Sequence, residues 1–60
     1  DPTLIPYLIQ LLYDDAPLVR GHAAWALWQL MGHDALAQLQ ALYDREGDES
    51  VRAEIEAVVP

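Results

Sequence analysis

The chain has no cysteine, no lysine, one serine and no uninterrupted apolar run of 18 residues. Without cysteine there is no disulfide framework, and no thiolate can hold a metal ion or an iron–sulfur cluster. Without a long apolar run or a basic N-terminal start, the sequence carries no membrane span and no signal-peptide pattern. No segment alternates apolar and polar residues with period two, so no strand is expected. A Ser-His-Asp order, a glycine-rich phosphate loop and a basic aromatic patch are all missing. The lone serine, Ser50, falls at a helix start, where its ordinary role is a local hydrogen bond.

What is present is acidic and apolar. Ten acidic residues stand against three arginines, for a net charge of -7, and 53% of the 60 residues are hydrophobic. That apolar content is too high for a disordered chain. The charge disfavours phosphate backbones, whose attraction is largely electrostatic, and favours solubility and basic partners. A chain this short buries only about 60% of its unfolded surface, so its stability is expected to be marginal.

The organising feature is an internal repeat. Leu8 and Leu11 correspond to Leu39 and Leu42 at a spacing of 31, and Val19-Arg20 corresponds to Val51-Arg52 at a spacing of 32. The second turn is therefore one residue longer than the first. A period in this range with two helices per unit is the mark of an α-solenoid. The expected fold is all-α, two antiparallel helical hairpins stacked side by side, with unit one over 1–32 and unit two over 33–60. Two units fall below the roughly three that usually stand alone, so an excerpt of a longer chain, or its capping repeats, is expected.

Helix one is expected from Thr3 to Tyr13, capped by Asp1 or Thr3. Pro6 fits its first turn only if Thr3 is the cap. Leu4, Leu8, Leu11 and Leu12 form its apolar stripe, with Gln10 opposite. Helix two starts at Pro17 with Asp15 as cap and ends at Met31, stopped by Gly32. Its main face is Val19, Ala23, Ala26, Leu27 and Leu30, flanked by Leu18, His22 and Trp25. It is apolar nearly all round, as expected of a helix with neighbours on several sides. Helix three runs from the cap Asp34 to Tyr43 on a Leu36, Leu39 and Leu42 stripe. Helix four runs from Glu49 to Val58, capped by Asp48, with Val51, Ile55 and Val58 inward.

Four residues are candidate RNA or partner contacts: Arg20, His22, Trp28 and Arg52. Arginine in the first turn of a helix opposes the local dipole, so Arg20 and Arg52 need another reason to be there. A pairing with Asp14, Asp15, Asp44 or Asp48 is the expected one, ahead of a ligand contact. His22 and His33 are 11 residues apart, a spacing that matches no metal motif. His22 beside Trp25 and Leu18 reads as a satisfied, partly buried residue ahead of a catalytic base. Trp25 reads as packing, so truncating a buried ring there would cost about 3–5 kcal/mol. Trp28 points away from helix one, beside Gly21, Ala24 and Pro17, as a knob covered by a neighbouring repeat or used as a contact hot spot. Glu46, Asp48, Glu49, Glu54 and Glu56 are scattered, and nothing sets two of them across a cleft. No catalytic, cofactor-binding or metal-binding residue is expected.

The run Leu12-Tyr13-Asp14-Asp15-Ala16-Pro17-Leu18-Val19-Arg20-Gly21-His22-Ala23-Ala24-Trp25-Ala26-Leu27 resembles the C-terminal HEAT-like repeats of the epoxyqueuosine reductase family, and Asp48-Glu49-Ser50-Val51-Arg52-Ala53-Glu54-Ile55 looks like their continuation. The resemblance implies a HEAT-like α-solenoid fragment of a bacterial cytoplasmic enzyme that reduces epoxyqueuosine in tRNA with cobalamin and iron–sulfur clusters. The catalytic and cluster-binding parts would lie upstream of these repeats. The segment itself would be non-catalytic and free of cofactors. It would pack on the remainder of its parent chain and help position tRNA, weakly or only in the full-length context, without DNA or membrane partners. Trp28 departs from the pattern, which usually has glycine there. The alternative is a generic HEAT-like protein–protein scaffold. A positive face joining Arg20, Arg52 and His22 would favour the first reading. Arginines buried against carboxylates, with an exposed apolar Trp28 face, would favour the second.

Overall fold

The structure is a computed structural model and describes residues 3–59. Helix α1 spans Leu4–Leu11, α2 Pro17–Met31, α3 Leu36–Arg45 and α4 Glu49–Val58, with a 3-10 turn at Gly32–Ala35 between α2 and α3. There is no strand among the described residues. The fold is all-α: α1 and α2 form one hairpin, α3 and α4 the other. The hairpins join chiefly through α2 against α4, and α2 also packs on α1.

The helix ends follow the local chemistry. Thr3 is the N-cap of α1, which puts Pro6 in the first turn, where its missing N–H leaves no bond unmade. The alternative cap, Asp1, lies outside the described residues. The α-helix stops at Leu11, short of Tyr13. Tyr13 donates to the Gln10 carbonyl (3.0 Å) and Asp14 to that of Leu11 (3.1 Å), tightening the last turn to i→i−3 bonds. Asp15 is not the cap of α2. The extended residue before Pro17 is Ala16, whose N–H donates to the Asp14 carboxylate at 3.0 Å. Gly32 ends α2 with φ of 57°, a conformation that favours glycine, and its N–H donates to the Trp28 carbonyl. Nor does Asp34 cap α3. It sits inside the 3-10 turn, which runs into α3 through a helical Ala35, so no extended cap residue is formed. Asp48 caps α4, accepting from the N–H groups of Ser50 (2.9 Å) and Val51 (3.2 Å).

The core is Leu12, Ala23, Ala24, Leu27, Ala35, Leu39, Leu42, Val51 and Ile55, with Leu8, Leu11, Trp28 and Val58 partly buried against it. Leu4 and Leu30, expected in apolar stripes, are each 45% exposed. The larger correction concerns α2. Its buried residues are Gly21, Ala23, Ala24 and Leu27, while Leu18, His22, Trp25 and Gln29 form one solvent-facing stripe. The buried arc is turned by about a quarter turn from the expected face. The cause is size: glycine and alanine let α4 approach closely, and a Cβ on Gly21 would stand 3.5 Å from Glu54 Cγ. Small residues at the crossing outweigh the larger apolar ones, which are left outside. Trp25 is thus 51% exposed and His22 is exposed. The small-residue face expected to await a neighbour is covered by α4.

This placement reverses the expected effect of the tryptophan substitution. We predict that Trp25→Ala shifts stability by only about 0.5 kcal/mol, the usual range at a surface. Leu27→Ala, at a side chain with no exposure, is predicted to cost about 2–5 kcal/mol, enough to unfold much of a domain this small. Urea denaturation followed by circular dichroism checks both. A loss on Trp25→Ala as large as that on Leu27→Ala would contradict the orientation of α2.

Candidate functional site

The charged centre of the molecule lies where the two inter-helix turns meet. Arg20, one turn into α2, reaches back over its own turn. Its Nη1 donates to the carbonyls of Asp14 (2.8 Å) and Asp15 (3.1 Å). Its other edge faces the second unit: Nε donates to Glu46 Oε1 at 2.8 Å and Nη2 to Glu46 Oε2 at 2.9 Å. The guanidinium thus closes the α1–α2 turn and chelates a carboxylate from the α3–α4 turn. The pair is largely desolvated, with side chains 17% and 2% exposed for Arg20 and Glu46 respectively. Glu46 Oε2 also accepts the Asp48 N–H at 3.0 Å, which orients the carboxylate.

The expectation that Arg20 pairs with an aspartate is therefore corrected. The partner is Glu46, and Asp14 and Asp15 serve through their carbonyls. A planar fork needs a carboxylate whose two oxygens it can meet together, and Glu46 presents both. The hydrogen bond to Arg20 holds the Glu46 carboxyl below the usual carboxylate range against the opposing effect of burial. Bonding to Glu46 correspondingly raises the Arg20 guanidinium above its ordinary value. Asp48 is also held low, first by the Ser50 hydroxyl and then by the Val51 N–H.

Arg52 repeats half of this arrangement. Its Nη1 donates to the carbonyls of Tyr43 (3.0 Å) and Glu46 (3.1 Å), and its guanidinium lies 3.9 Å from the Tyr43 ring centroid. No aspartate pairs with it among the described residues. Arg45, which sequence reasoning passed over, ties unit two to unit one: its Nη2 donates to the Leu12 carbonyl at 3.0 Å and it lies 3.9 Å over the Tyr13 ring. All three arginines are thus bound to main-chain carbonyls. They do not join His22 in a positive face. His22 lies with Trp25, Ala26 and Glu54 around an open groove of about 520 Å³. Trp28 is half-buried, its ring centroid 5.4 Å from that of His33. The four candidate contacts therefore occupy three separate places.

Glu46 also escaped the sequence reading, although a signal existed. Asp14 precedes Arg20 by the interval that separates Glu46 from Arg52, and each acid accepts the amide two residues ahead. No three His, Cys, Asp or Glu side chains are grouped to hold a metal ion among the described residues, and no helix there is long and apolar enough to cross a membrane.

The HEAT-repeat family model matches residues 1–59. The chain belongs to the HEAT-repeat family. It is 39% identical over 56 residues to an "Uncharacterized protein in gldA 3'region" of Geobacillus stearothermophilus, covering 92% of this chain and 26% of that protein. It is 37% identical over 59 residues to an epoxyqueuosine reductase of Listeria monocytogenes, covering 97% of this chain and 16% of the reductase. The HEAT-repeat chain thus spans a small part of the length of either curated relative. No solved structure matches it.

The site's electrostatics give a pH prediction. A carboxyl held low in the folded state contributes stability above its unfolded value, near 4.5 for Glu46, and loses it as pH falls through the folded value. Denaturant midpoints should therefore fall on acidification below that range, and Glu46→Gln should flatten the fall while lowering stability at neutral pH. In a double-mutant cycle, Arg20 should couple to Glu46 more strongly than to the side chain of Asp15 or Asp44. Equal coupling to all three would remove the chelate from the account.

Proposed function

We propose that this HEAT-repeat chain is a non-catalytic packing module of a protein related to epoxyqueuosine reductase, and that it works by protein contact with the remainder of its parent. The observation that carries this reading is the internal use of every arginine. Each guanidinium is bonded to main-chain carbonyls, and that of Arg20 is filled on both edges by Glu46 and its own turn, so the three arginines do not gather into one cationic face for phosphate. The exposed Leu18 and Trp25 on one stripe of α2 supply apolar contact area instead. A net charge of -7 adds long-range repulsion of nucleic acid. If the likeness to the Listeria reductase extends to the parent, that parent is an oxidoreductase of tRNA modification in the cytoplasm. Its cobalamin and iron–sulfur clusters would be held elsewhere. This chain has no cysteine to hold an iron–sulfur cluster, and no His, Cys, Asp or Glu side chains are grouped for a metal ion among the described residues.

A second reading, in which the repeats help position tRNA, rests on that same relative. In it Arg52, His22 and Trp28 become contacts that upstream domains complete. The two readings separate on titration of the chain with a tRNA anticodon stem-loop. We predict no binding at physiological salt and at most weak binding at low salt, because few phosphate contacts are available. Submicromolar binding at physiological salt would overturn the packing reading. We also predict no reductase or hydrolase turnover by the chain alone.

A further inference from the structure

Gly21 decides what the groove between α2 and α4 presents. With no side chain there, the stem of Glu54 lies against α2, its Cγ 3.5 Å from where a Cβ on Gly21 would stand. Glu54 is exposed and makes no hydrogen bond or ion pair among the described residues. It lines the open groove together with His22, Trp25 and Ala26. A narrower cleft of about 120 Å³ continues from His22 and Glu54 to Leu18 and Ser50. The two make one trough along α2, with Leu18, 70% exposed, toward one end and Trp25, 51% exposed, toward the other. No arginine lines either part.

We infer that this trough takes an arginine-bearing segment of the protein on which the repeats pack. The guanidinium lies on the Trp25 ring and against the Glu54 carboxylate, and an apolar side chain of the same segment covers Leu18. The inference rests on the reading of the chain as a protein-contact module and names the chemistry of its partner. An indole offers the best aromatic face for a cation. A carboxylate beside it gives a planar fork two oxygens to meet. Neither feature selects arginine alone, since a lone surface carboxylate gains little from pairing and a lone tryptophan accepts any apolar group. Together they favour a flat cation and disfavour an acidic segment or a phosphate, which Glu54 meets as a like charge. Leu18 and Trp25 are seven residues apart on one helix face, a separation of about 10 Å. On an extended polyproline-type chain, side chains three residues apart share a face at about 9 Å. The partner segment therefore carries its apolar residue three positions from the arginine.

The test is heteronuclear NMR of the 60-residue chain, with the two indole N–H signals assigned by Trp25→Phe. The probes are two short acetylated and amidated peptides, one with leucine three residues before arginine, the other with citrulline, an uncharged isostere, in place of the arginine. The arginine peptide is expected to bind about tenfold tighter and to shift the Trp25 indole signal, leaving that of Trp28 in place. Glu54→Gln keeps the stem on Gly21 and removes the charge, so the preference should fall to about threefold, the part due to the ring. Glu49→Gln makes the same charge change at an exposed residue of α4 that does not line the trough, and should leave the preference intact. Equal binding of the two peptides, no binding of either, or equal effects of Glu54→Gln and Glu49→Gln overturns the proposal. So does a Trp25 signal that moves with chain concentration alone, making a second copy the occupant, or with the tRNA stem-loop, making it nucleic acid. The packing reading fails separately, on submicromolar stem-loop binding, and loss of the peptide preference alone leaves it standing.

Discussion

The bidentate contact between Arg20 and Glu46 is the constraint around which the two hairpins are arranged. It joins residues 26 apart in sequence, and each partner is also fixed to its own turn, Arg20 by the carbonyls of Asp14 and Asp15, Glu46 by the Asp48 N–H. A slip of one hairpin along the other would strand Glu46, 6% exposed, without its counter-charge. Leaving a buried carboxylate unpaired costs far more than the net gain from pairing it. The contact therefore acts mainly against wrong registers, while the favourable energy of folding comes from the leucine, valine and isoleucine core. This division suits a short repeat chain, in which several apolar registers would otherwise be close in energy.

The same geometry explains why arginine, disfavoured by the dipole at a helix start, recurs there. From the first turn a long side chain can fold back over the preceding loop and bond carbonyls that no helix N–H can satisfy. Arg20 and Arg52 both do so, and Arg45, from the last turn of α3, reaches across units to the Leu12 carbonyl. The loops are short and partly buried, and their carbonyls would lose water without a protein donor. Lysine, with a single charged point, could not serve two carbonyls and two carboxylate oxygens at once. With no lysine, and only three arginines against ten acidic residues, the chain's charge is acidic.

Much of this was legible in the sequence, and the misses have a common origin. Helix number, the Asp48 cap, the Gly32 stop and the inward Leu39, Leu42, Val51 and Ile55 follow from local rules that need only neighbours in sequence. The rotation of α2 does not. Apolar counting ranks Trp25 and Leu30 above Gly21 and Ala24, but a helix crossing is decided by how close two backbones approach, and that rewards the smallest residues. The caps of α2 and α3 failed for a related reason. Asp15 and Asp34 are suitable residues, yet Ala16 is aligned by Asp14 and α3 is entered through a continuous 3-10 turn.

The charged site was half legible. The recurrence of Val-Arg pointed to ion pairing, and ion pairing is what Arg20 does. Its partner lay in a loop where acids read as solvent-facing, because burial of Glu46 arises only when two hairpins bring their turns together. The repeat itself held the missing information: Asp14 and Glu46 share one offset from their arginines and one amide contact. Internal symmetry therefore locates tertiary contacts that periodicity within a single helix cannot. It also separates two classes of side chain on this chain. Those that recur at the unit spacing, Arg20 with Arg52 and Asp14 with Glu46, build the turns. Those that do not recur, His22 at the position of Glu54 and Trp25 at that of Ala57, lie on the open faces of α2 and α4.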